Sequence, residues 1–136
     1  MMQSMKTIVL DSFAVLAYLQ NEAGAQQVEE LFLNAQAGEI KLLINRINLG
    51  EVFYLSARRK GLEFAQQILK EFSLLPVEII SPSDDLIDRA AQLKAQHPIS
   101  YADGFVAATA FEFQAEIISG DKDFQRLETL LKIIWL

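Results

Sequence analysis

The chain has 136 residues, 51% of them hydrophobic and 22% charged, with a formal net charge of −6 at pH 7. This length and composition predict one domain over residues 1–136 with a hydrophobic core, and they exclude a disordered chain. The absence of cysteine excludes a disulfide framework, a thiolate zinc site and a thiol nucleophile.

In the first half of the chain, short apolar runs that suit strands alternate with amphipathic helical segments. The predicted strands are residues 7–10 and 41–44, and the predicted helices are residues 13–19, 25–37 and 48–60. Gly38 and Gly61 follow the last two helices, and glycine is the residue that most often ends a helix.

The second half continues the alternation, with a helix over residues 62–74 and strands at 77–80, 116–119 and 132–136. Ser81-Pro82 predicts an N-cap with proline at the first helical position, opening a helix to residue 96. His97-Pro98 interrupts the chain before Ser100, which is expected to cap a helix reaching about residue 113. Strands separated by helices predict a parallel sheet of four to five strands between helical layers, an α/β/α sandwich.

The N-terminal region offers no membrane span or signal peptide. The uncharged stretch from Ser12 to Asn21 is shorter than the roughly 20 apolar residues that cross a bilayer. Asp11 interrupts the apolar run behind Lys6 where a signal peptide would need its hydrophobic core. We therefore expect a cytoplasmic protein.

Four acidic residues occupy positions where a charge is awkward for the fold: Asp11, Glu51, Asp103 and Asp121. Asp11 and Asp121 come at the carboxyl ends of predicted strands, where ligands gather in parallel sheets. Glu51 and Asp103 lie near the starts of two helices, so the four carboxylates are expected to converge if those helices begin at the same sheet edge. Asp123 is a further candidate, although it also suits a solvated turn.

Each acid has an ordinary explanation as well. Asp11 and Asp121 suit helix caps or turns, and Asp103 follows Ser100 at the spacing of a capping box. Glu51 has no basic residue three or four positions away, so its alternative is an ion pair with a distant Arg or Lys.

Other chemistries find little support. His97 is the only histidine and adjoins Pro98 in a predicted loop, which favours a surface or capping role and leaves no Ser-His-Asp site. The basic run Arg58-Arg59-Lys60 offers candidates for contact with RNA phosphates, but it also complements the dipole at a helix C-terminus. The net charge of −6 should repel a polyanion, although a bound cation would reverse this locally.

Four short segments resemble PIN-domain ribonucleases, most closely the VapC-type toxins of toxin-antitoxin pairs. The resemblance runs from Ile8 to Leu136, and its strength lies in the order and spacing of the four segments. They are Val9-Leu10-Asp11-Ser12, Ile47-Asn48-Leu49-Gly50-Glu51-Val52, Ser100-Tyr101-Ala102-Asp103-Gly104 and Ile118-Ser119-Gly120-Asp121-Lys122-Asp123-Phe124.

The resemblance implies that the acidic quartet of the family falls on Asp11, Glu51, Asp103 and Asp121, with Asp123 as a fifth member. Ser12 and Ser119 match supporting hydroxyl positions. Phe13 departs from the pattern, because many members have a small polar residue there.

The resemblance also implies a PIN-like fold, RNA cleavage that leaves a 5′ phosphate, a homodimer, and an antitoxin whose inserted segment blocks the acidic site. Crowded carboxylates need a cation to neutralise them. Oxygen ligands without cysteine or a suitable histidine favour Mg²⁺ or Mn²⁺ over zinc. Such an ion would activate water and offset charge on the leaving 3′ oxygen.

Several other functions stay open at this point. A receiver domain also binds Mg²⁺ through acidic residues. It would need paired acids after the first strand, where Asp11 is followed by Ser12, and an acceptor aspartate after Ile80, where Ser81 stands. A haloacid-dehalogenase phosphatase would want an aspartate at Phe13. A non-catalytic PIN-like scaffold, or a PIN-like protein of RNA processing outside a toxin-antitoxin pair, is the remaining alternative.

Overall fold

The computed structural model describes residues 5–136, so the first four residues of the predicted domain 1–136 lie outside the described part. Its centre is a parallel sheet of five strands in the order β3-β2-β1-β4-β5. This confirms the predicted parallel sheet and includes the predicted fifth strand. The strands are β1 (Lys6–Leu10), β2 (Ile40–Asn45), β3 (Glu78–Ile80), β4 (Glu116–Ser119) and β5 (Ile133–Trp135).

Six α-helices and one 3₁₀ helix connect the strands within the described residues, and every predicted helix is present. The α-helices are α1 (Ser12–Leu19), α2 (Ala25–Gln36), α3 (Arg46–Lys60), α4 (Leu62–Phe72), α5 (Asp84–Gln96) and α6 (Tyr101–Phe113), and the 3₁₀ helix is Lys122–Leu127. None of the helices in residues 5–136 is both long and apolar enough to cross a membrane.

The predicted start of α5 at Ser81-Pro82 is wrong. The N-cap is Ser83, whose side chain accepts a hydrogen bond from the backbone N–H of Leu86 at 3.2 Å. Asp84 and Asp85 then occupy the first turn, where their negative charge complements the helix dipole. A second serine followed by two acids is therefore a better helix start than the Ser-Pro pair.

The sheet has helices on both faces because its strand residues alternate in direction. One set of strand residues packs against α5, α6 and the 3₁₀ helix: Val9, Leu43 and Ile117. The other set packs against α1, α2, α3 and α4: Ile8, Leu10, Leu42, Ile44 and Ile118. This two-sided burial produces the predicted three-layer α/β/α architecture.

The strand order places a topological switch at the centre of the sheet. The chain moves from β1 outward through β2 to β3, and then returns to add β4 and β5 on the other side of β1. Connections therefore diverge between the carboxyl ends of β1 and β4, which is where open α/β sheets bind ligands. Asp11 directly follows β1, and Asp121 comes two residues after β4.

Two buried asparagines link the start of α3 to α6. The Nδ2 of Asn45 donates to the Thr109 hydroxyl, and the Nδ2 of Asn48 donates to the Ala102 carbonyl, both at 3.0 Å. Asn45 also caps α3, since its side-chain oxygen accepts from the Ile47 N–H at 2.9 Å. Because buried polar groups are costly to leave unpaired, these bonds fix the two helices that carry Glu51 and Asp103.

Gly104 allows α6 to lie close to α5, and its replacement should destabilise the fold. A Cβ at this position would stand 2.9 Å from the Ala90 carbonyl oxygen, so Gly104→Ala should lower the free energy of unfolding by about 1–3 kcal/mol. Gly50 is the matched control, because a Cβ there meets no atom within 4 Å and Gly50→Ala should stabilise α3 by about 0.5–1 kcal/mol. Urea denaturation of both variants measures the difference, and equal stabilities would contradict the close packing.

Candidate metal centre

Asp11 is buried at the end of β1, with only 3% of its surface exposed. Its Oδ1 accepts a hydrogen bond from the Ala14 N–H at 2.8 Å, so it does cap α1, as the ordinary explanation proposed. Its Oδ2 accepts a hydrogen bond from the Ser119 hydroxyl, which reaches across from the end of β4. The capping role therefore coexists with a second role at the switch point.

Ser119 connects Asp11 to Asp121. While its hydroxyl donates to Asp11, its oxygen accepts the Asp121 N–H at 2.8 Å. Asp121 in turn caps the 3₁₀ helix, since its Oδ1 accepts the Asp123 N–H at 2.9 Å. A chain of hydrogen bonds thus fixes the backbone that presents Asp121 and Asp123 beside β1.

Glu51 lies near the same edge of the sheet, where it contacts Ser12, the residue after Asp11. The Ser12 hydroxyl donates to Oε1 of Glu51 at 2.6 Å, and the Tyr54 hydroxyl lies 3.5 Å from Oε2. No arginine or lysine within residues 5–136 forms an ion pair with Glu51. The distant ion pair considered as its alternative explanation is therefore absent from the described structure.

Asp103 has a buried carboxylate oxygen that lacks a partner. Its backbone N–H donates to the Ser100 side chain at 3.0 Å, so Ser100 caps α6 as predicted. The side chain of Asp103 is free of that cap, and its Oδ2 is buried without a hydrogen bond. A buried, unpaired carboxylate oxygen is costly, and a bound cation would relieve that cost.

Three carboxylates are close enough to share one ion. Asp103, Asp121 and Asp123 each offer one oxygen, and these oxygens lie within 4.8 Å of one another. Asp11 and Glu51 lie in the electrostatic surroundings of Asp103 and raise its pKa. The structure therefore groups Asp103, Asp121 and Asp123, and Asp11 and Glu51 lie near enough to act on Asp103 by charge.

Burial and mutual repulsion raise the pKa of two members. Burial raises the pKa of Asp11 to about 7, with smaller contributions from Asp121 and Glu51, against the opposing hydrogen bonds from Ser119 and Ala14. Burial also raises the pKa of Asp103 to about 8, with the charge of Asp121 as the next contribution. Without a cation, this cluster therefore holds protons near neutral pH.

A hard divalent cation fits this donor set. All the grouped ligand atoms are carboxylate oxygens, and Asp103 has a buried oxygen with no partner. Such sites suit Mg²⁺ or Mn²⁺. His97 is the C-cap residue of α5 and does not belong to the cluster, in agreement with the predicted capping role.

Phe13 has a packing role that the sequence did not reveal. A Cβ at Gly120 would meet the Phe13 ring at 2.3 Å, so the ring lies directly over this glycine. Phe13 is still 47% exposed, next to the loop that carries Asp121. Phe13, which stands where many family members have a small polar residue, therefore packs against a glycine at position 120.

Without metal, the protein should lose stability as the pH rises. The carboxyl groups of Asp11 and Asp103 have pKa values of about 7 and about 8 in the folded state, against an ordinary value of 3.8 for an aspartate. Their stabilising contribution is complete below the unfolded pKa and is lost as pH rises through the folded values. In EDTA, the melting temperature should fall by several degrees from about pH 5.5 to about pH 8.5.

Two comparisons make this pH test specific. Asp103→Asn cannot ionise and should flatten the pH dependence, and Mg²⁺ should raise the melting temperature of the wild type more at high pH than at low pH. A melting temperature in EDTA that rises steadily over this range would contradict the raised pKa values.

A family model and several solved structures match this chain. The family model of the PIN domain matches residues 8–130. Comparison with curated protein sequences gives no match. Solved structures of similar fold include VapBC2 from Rickettsia felis bound to a promoter DNA fragment, which is 20% identical with a TM-score of 0.75 and covers 95% of this chain and 98% of its own.

Two further structures are similar. The DNA-bound VapBC from Salmonella typhimurium is 19% identical with a TM-score of 0.76, covering 96% of this chain and 98% of its own. VapC20 of Mycobacterium tuberculosis, described as a Sarcin-Ricin loop cleaving toxin, is 20% identical with a TM-score of 0.70, covering 87% of this chain and 92% of its own. At these identities the likeness concerns the fold.

Proposed function

This chain belongs to the PIN-domain family, and on that premise we propose that it is a metal-dependent endoribonuclease, the toxin of a type II toxin-antitoxin pair. The observation that carries the proposal is the grouping of Asp103, Asp121 and Asp123 at the switch point, with the partnerless Oδ2 of Asp103 among them. A purely structural cluster would leave the buried Oδ2 of Asp103 without a partner, because no lysine or arginine in residues 5–136 pairs with any of the three.

Asp103, Asp121 and Asp123 are the proposed ligands of Mg²⁺ or Mn²⁺, with Asp11 and Glu51 completing the anionic surroundings. When bound, the ion supplies Lewis-acid chemistry, namely water of lowered pKa and charge stabilisation at the phosphate that is cut. The carboxylates supply the negative charge that holds the ion and the acceptor oxygens that orient a water.

The two serines act on the carboxylates in this scheme. Ser12 donates to Glu51 at 2.6 Å and holds that side chain at the edge of the site. Ser119 donates to Asp11 and accepts from the backbone of Asp121, so it keeps β1 and β4 in register where the site forms. Ser12 and Ser119 are therefore positioning residues.

We propose partners by analogy with the solved structures. VapBC from Salmonella typhimurium and VapBC2 from Rickettsia felis are described as bound to DNA, and another similar structure is described as a toxin-antitoxin complex from Klebsiella pneumoniae. For this chain we expect a cognate antitoxin that blocks the acidic site, a homodimer, and a cytoplasmic location. A short gene for a DNA-binding antitoxin directly upstream would support the toxin assignment.

Cleavage of RNA by the purified protein tests the proposed activity. Total RNA, including tRNA and rRNA, is the suitable substrate because such toxins can be selective. We expect products with a 5′ phosphate when Mg²⁺ or Mn²⁺ is present, and no products in EDTA. Cleavage that continues unchanged in EDTA would overturn the metal-dependent mechanism, and intact RNA under all metal conditions would favour a non-catalytic PIN-like protein.

A further inference from the structure

One face of α3 leads away from the acidic cluster and carries an exposed aromatic ring and a cation. Tyr54 and Arg58 lie three and seven residues after Glu51, so the three side chains share a face of the helix. The Tyr54 hydroxyl lies 3.5 Å from Oε2 of Glu51, and the Arg58 guanidinium lies 5.1 Å from the centre of the Tyr54 ring. This face therefore extends about 10 Å from the site along the helix axis.

The basic residues at the end of α3 differ in what they contact. Arg59 forms an ion pair with Glu22 at 3.1 Å and also donates to Gln20, so its charge is neutralised by the neighbouring segment. Lys60 lies 4.8 Å from the Phe64 ring, on the side of α4. Arg58 forms no ion pair with any residue in the part of the chain that the structure describes.

We propose that Tyr54 and Arg58 form an RNA-binding subsite, in which Arg58 contacts a phosphate and Tyr54 stacks against a base of the strand that enters the acidic site. This inference rests on the proposed ribonuclease function. Arginine binds phosphate through several N–H donors, and an aromatic ring stacks on any base. The subsite therefore suits single-stranded RNA without demanding a particular sequence.

The unpaired charge of Arg58 favours an RNA phosphate as the occupant. Arg58 forms no ion pair within residues 5–136, and a phosphate group offers the anionic acceptor oxygens that a guanidinium binds. RNA must also approach five carboxylates, and an arginine without an acidic partner beside that site supplies local attraction. Tyr54 is 45% exposed, so its ring is accessible to a base.

Fluorescence anisotropy with a labelled random-sequence RNA 20-mer tests the subsite. The Asp103→Asn protein serves as the parent, because it should not cut the probe during the measurement. Arg58→Gln should weaken binding roughly fivefold or more and reduce the salt slope by about 0.7, the value for one phosphate contact on a single strand. Tyr54→Leu should weaken binding by a similar factor without changing the slope, and Tyr54→Phe should retain near-parental affinity because it keeps the ring.

Lys60→Gln is the matched control, since it removes one positive charge from the same helix turn, and its affinity should stay within about twofold of the parent. Equal affinities for the parent, Arg58→Gln and Tyr54→Leu would overturn the subsite, as would a parent that binds no RNA. Variants that change the mass in light scattering while RNA affinity stays constant would identify this face as a subunit interface instead.

Failure of this inference is distinguishable from failure of the proposed function. If the wild type cuts RNA in Mn²⁺ and Arg58→Gln and Tyr54→Leu bind and cut RNA like the wild type, the subsite is wrong and the nuclease function stands. If Arg58→Gln and Tyr54→Leu lose RNA binding but the wild type never cuts RNA, the subsite stands and the catalytic proposal fails.

Discussion

Glu51→Gln should slow RNA cleavage by at least about a hundredfold without unfolding the protein. Glutamine keeps the volume of the side chain and an acceptor oxygen for the Ser12 hydroxyl, which donates to Oε1 at 2.6 Å in the native structure. It removes the negative charge that helps to hold the cation and orient the reacting groups. A hundredfold loss corresponds to about 2.7 kcal/mol of barrier, which is modest for a charged group at a metal-assisted site.

Initial rates on total RNA in Mn²⁺ measure this effect. Glu71→Gln is a suitable control, because Glu71 is an exposed carboxylate in the last turn of α4 and its loss changes the net charge equally. The control should cut at the wild-type rate, and circular dichroism should show the same helix content for all three proteins. Equal activity of the wild type and Glu51→Gln would remove Glu51 from the catalytic site.

The second large effect concerns metal affinity. Asp103→Asn should weaken Mn²⁺ binding by at least about tenfold, because Asp103 supplies one of three clustered ligand oxygens and a buried oxygen without another partner. In EDTA at pH 8 the same variant should melt no lower than the wild type, since it no longer repels Asp121. Asp103→Asn should therefore weaken Mn²⁺ binding without lowering the melting temperature of the metal-free protein.

Calorimetric titration with Mn²⁺ gives the affinities. Asp11→Asn should also lose affinity, because its carboxylate contributes to the negative potential at Asp103. The matched control is Asp88→Asn on the exposed side of α5, which should bind as the wild type does. If Asp103→Asn and Asp11→Asn both retained wild-type affinity, the carboxylates would not act as a unit. A large fall in the melting temperature of Asp11→Asn or Asp103→Asn would instead favour the explanation that these two residues serve as helix caps.

The fold was accessible from the sequence because its strands are short apolar runs bounded by helical segments. Strands buried on both faces lack the alternation of a half-exposed strand, and residues 8–10 and 42–44 show this continuous apolar pattern. The start of α5 was not accessible in the same way. Ser81 and Ser83 are both acceptable N-cap residues for α5. Which of them caps the helix depends on the acids that follow and on where β3 ends.

The candidate site was partly accessible for a similar reason. Carboxylates placed within two residues of the ends of β1 and β4 indicate the switch point once a parallel sheet is predicted, which explains the expectations for Asp11 and Asp121. The hydrogen bond from Ser119 to Asp11 joins residues 108 positions apart, and no local pattern encodes it. The same is true of Phe13 over Gly120 and of the separate partners of Arg58 and Arg59, which only the packed structure defines.

The position of a bound Mn²⁺ shows whether these carboxylates form a metal centre. A crystal grown with Mn²⁺ and measured at the manganese absorption edge gives an anomalous difference map that locates the ion without assumptions about activity. We expect the strongest peak among the carboxylates of Asp103, Asp121 and Asp123, on the side that faces Asp11 and Glu51. A strongest peak elsewhere on the surface, with these carboxylates left without an ion, would contradict the proposed metal centre.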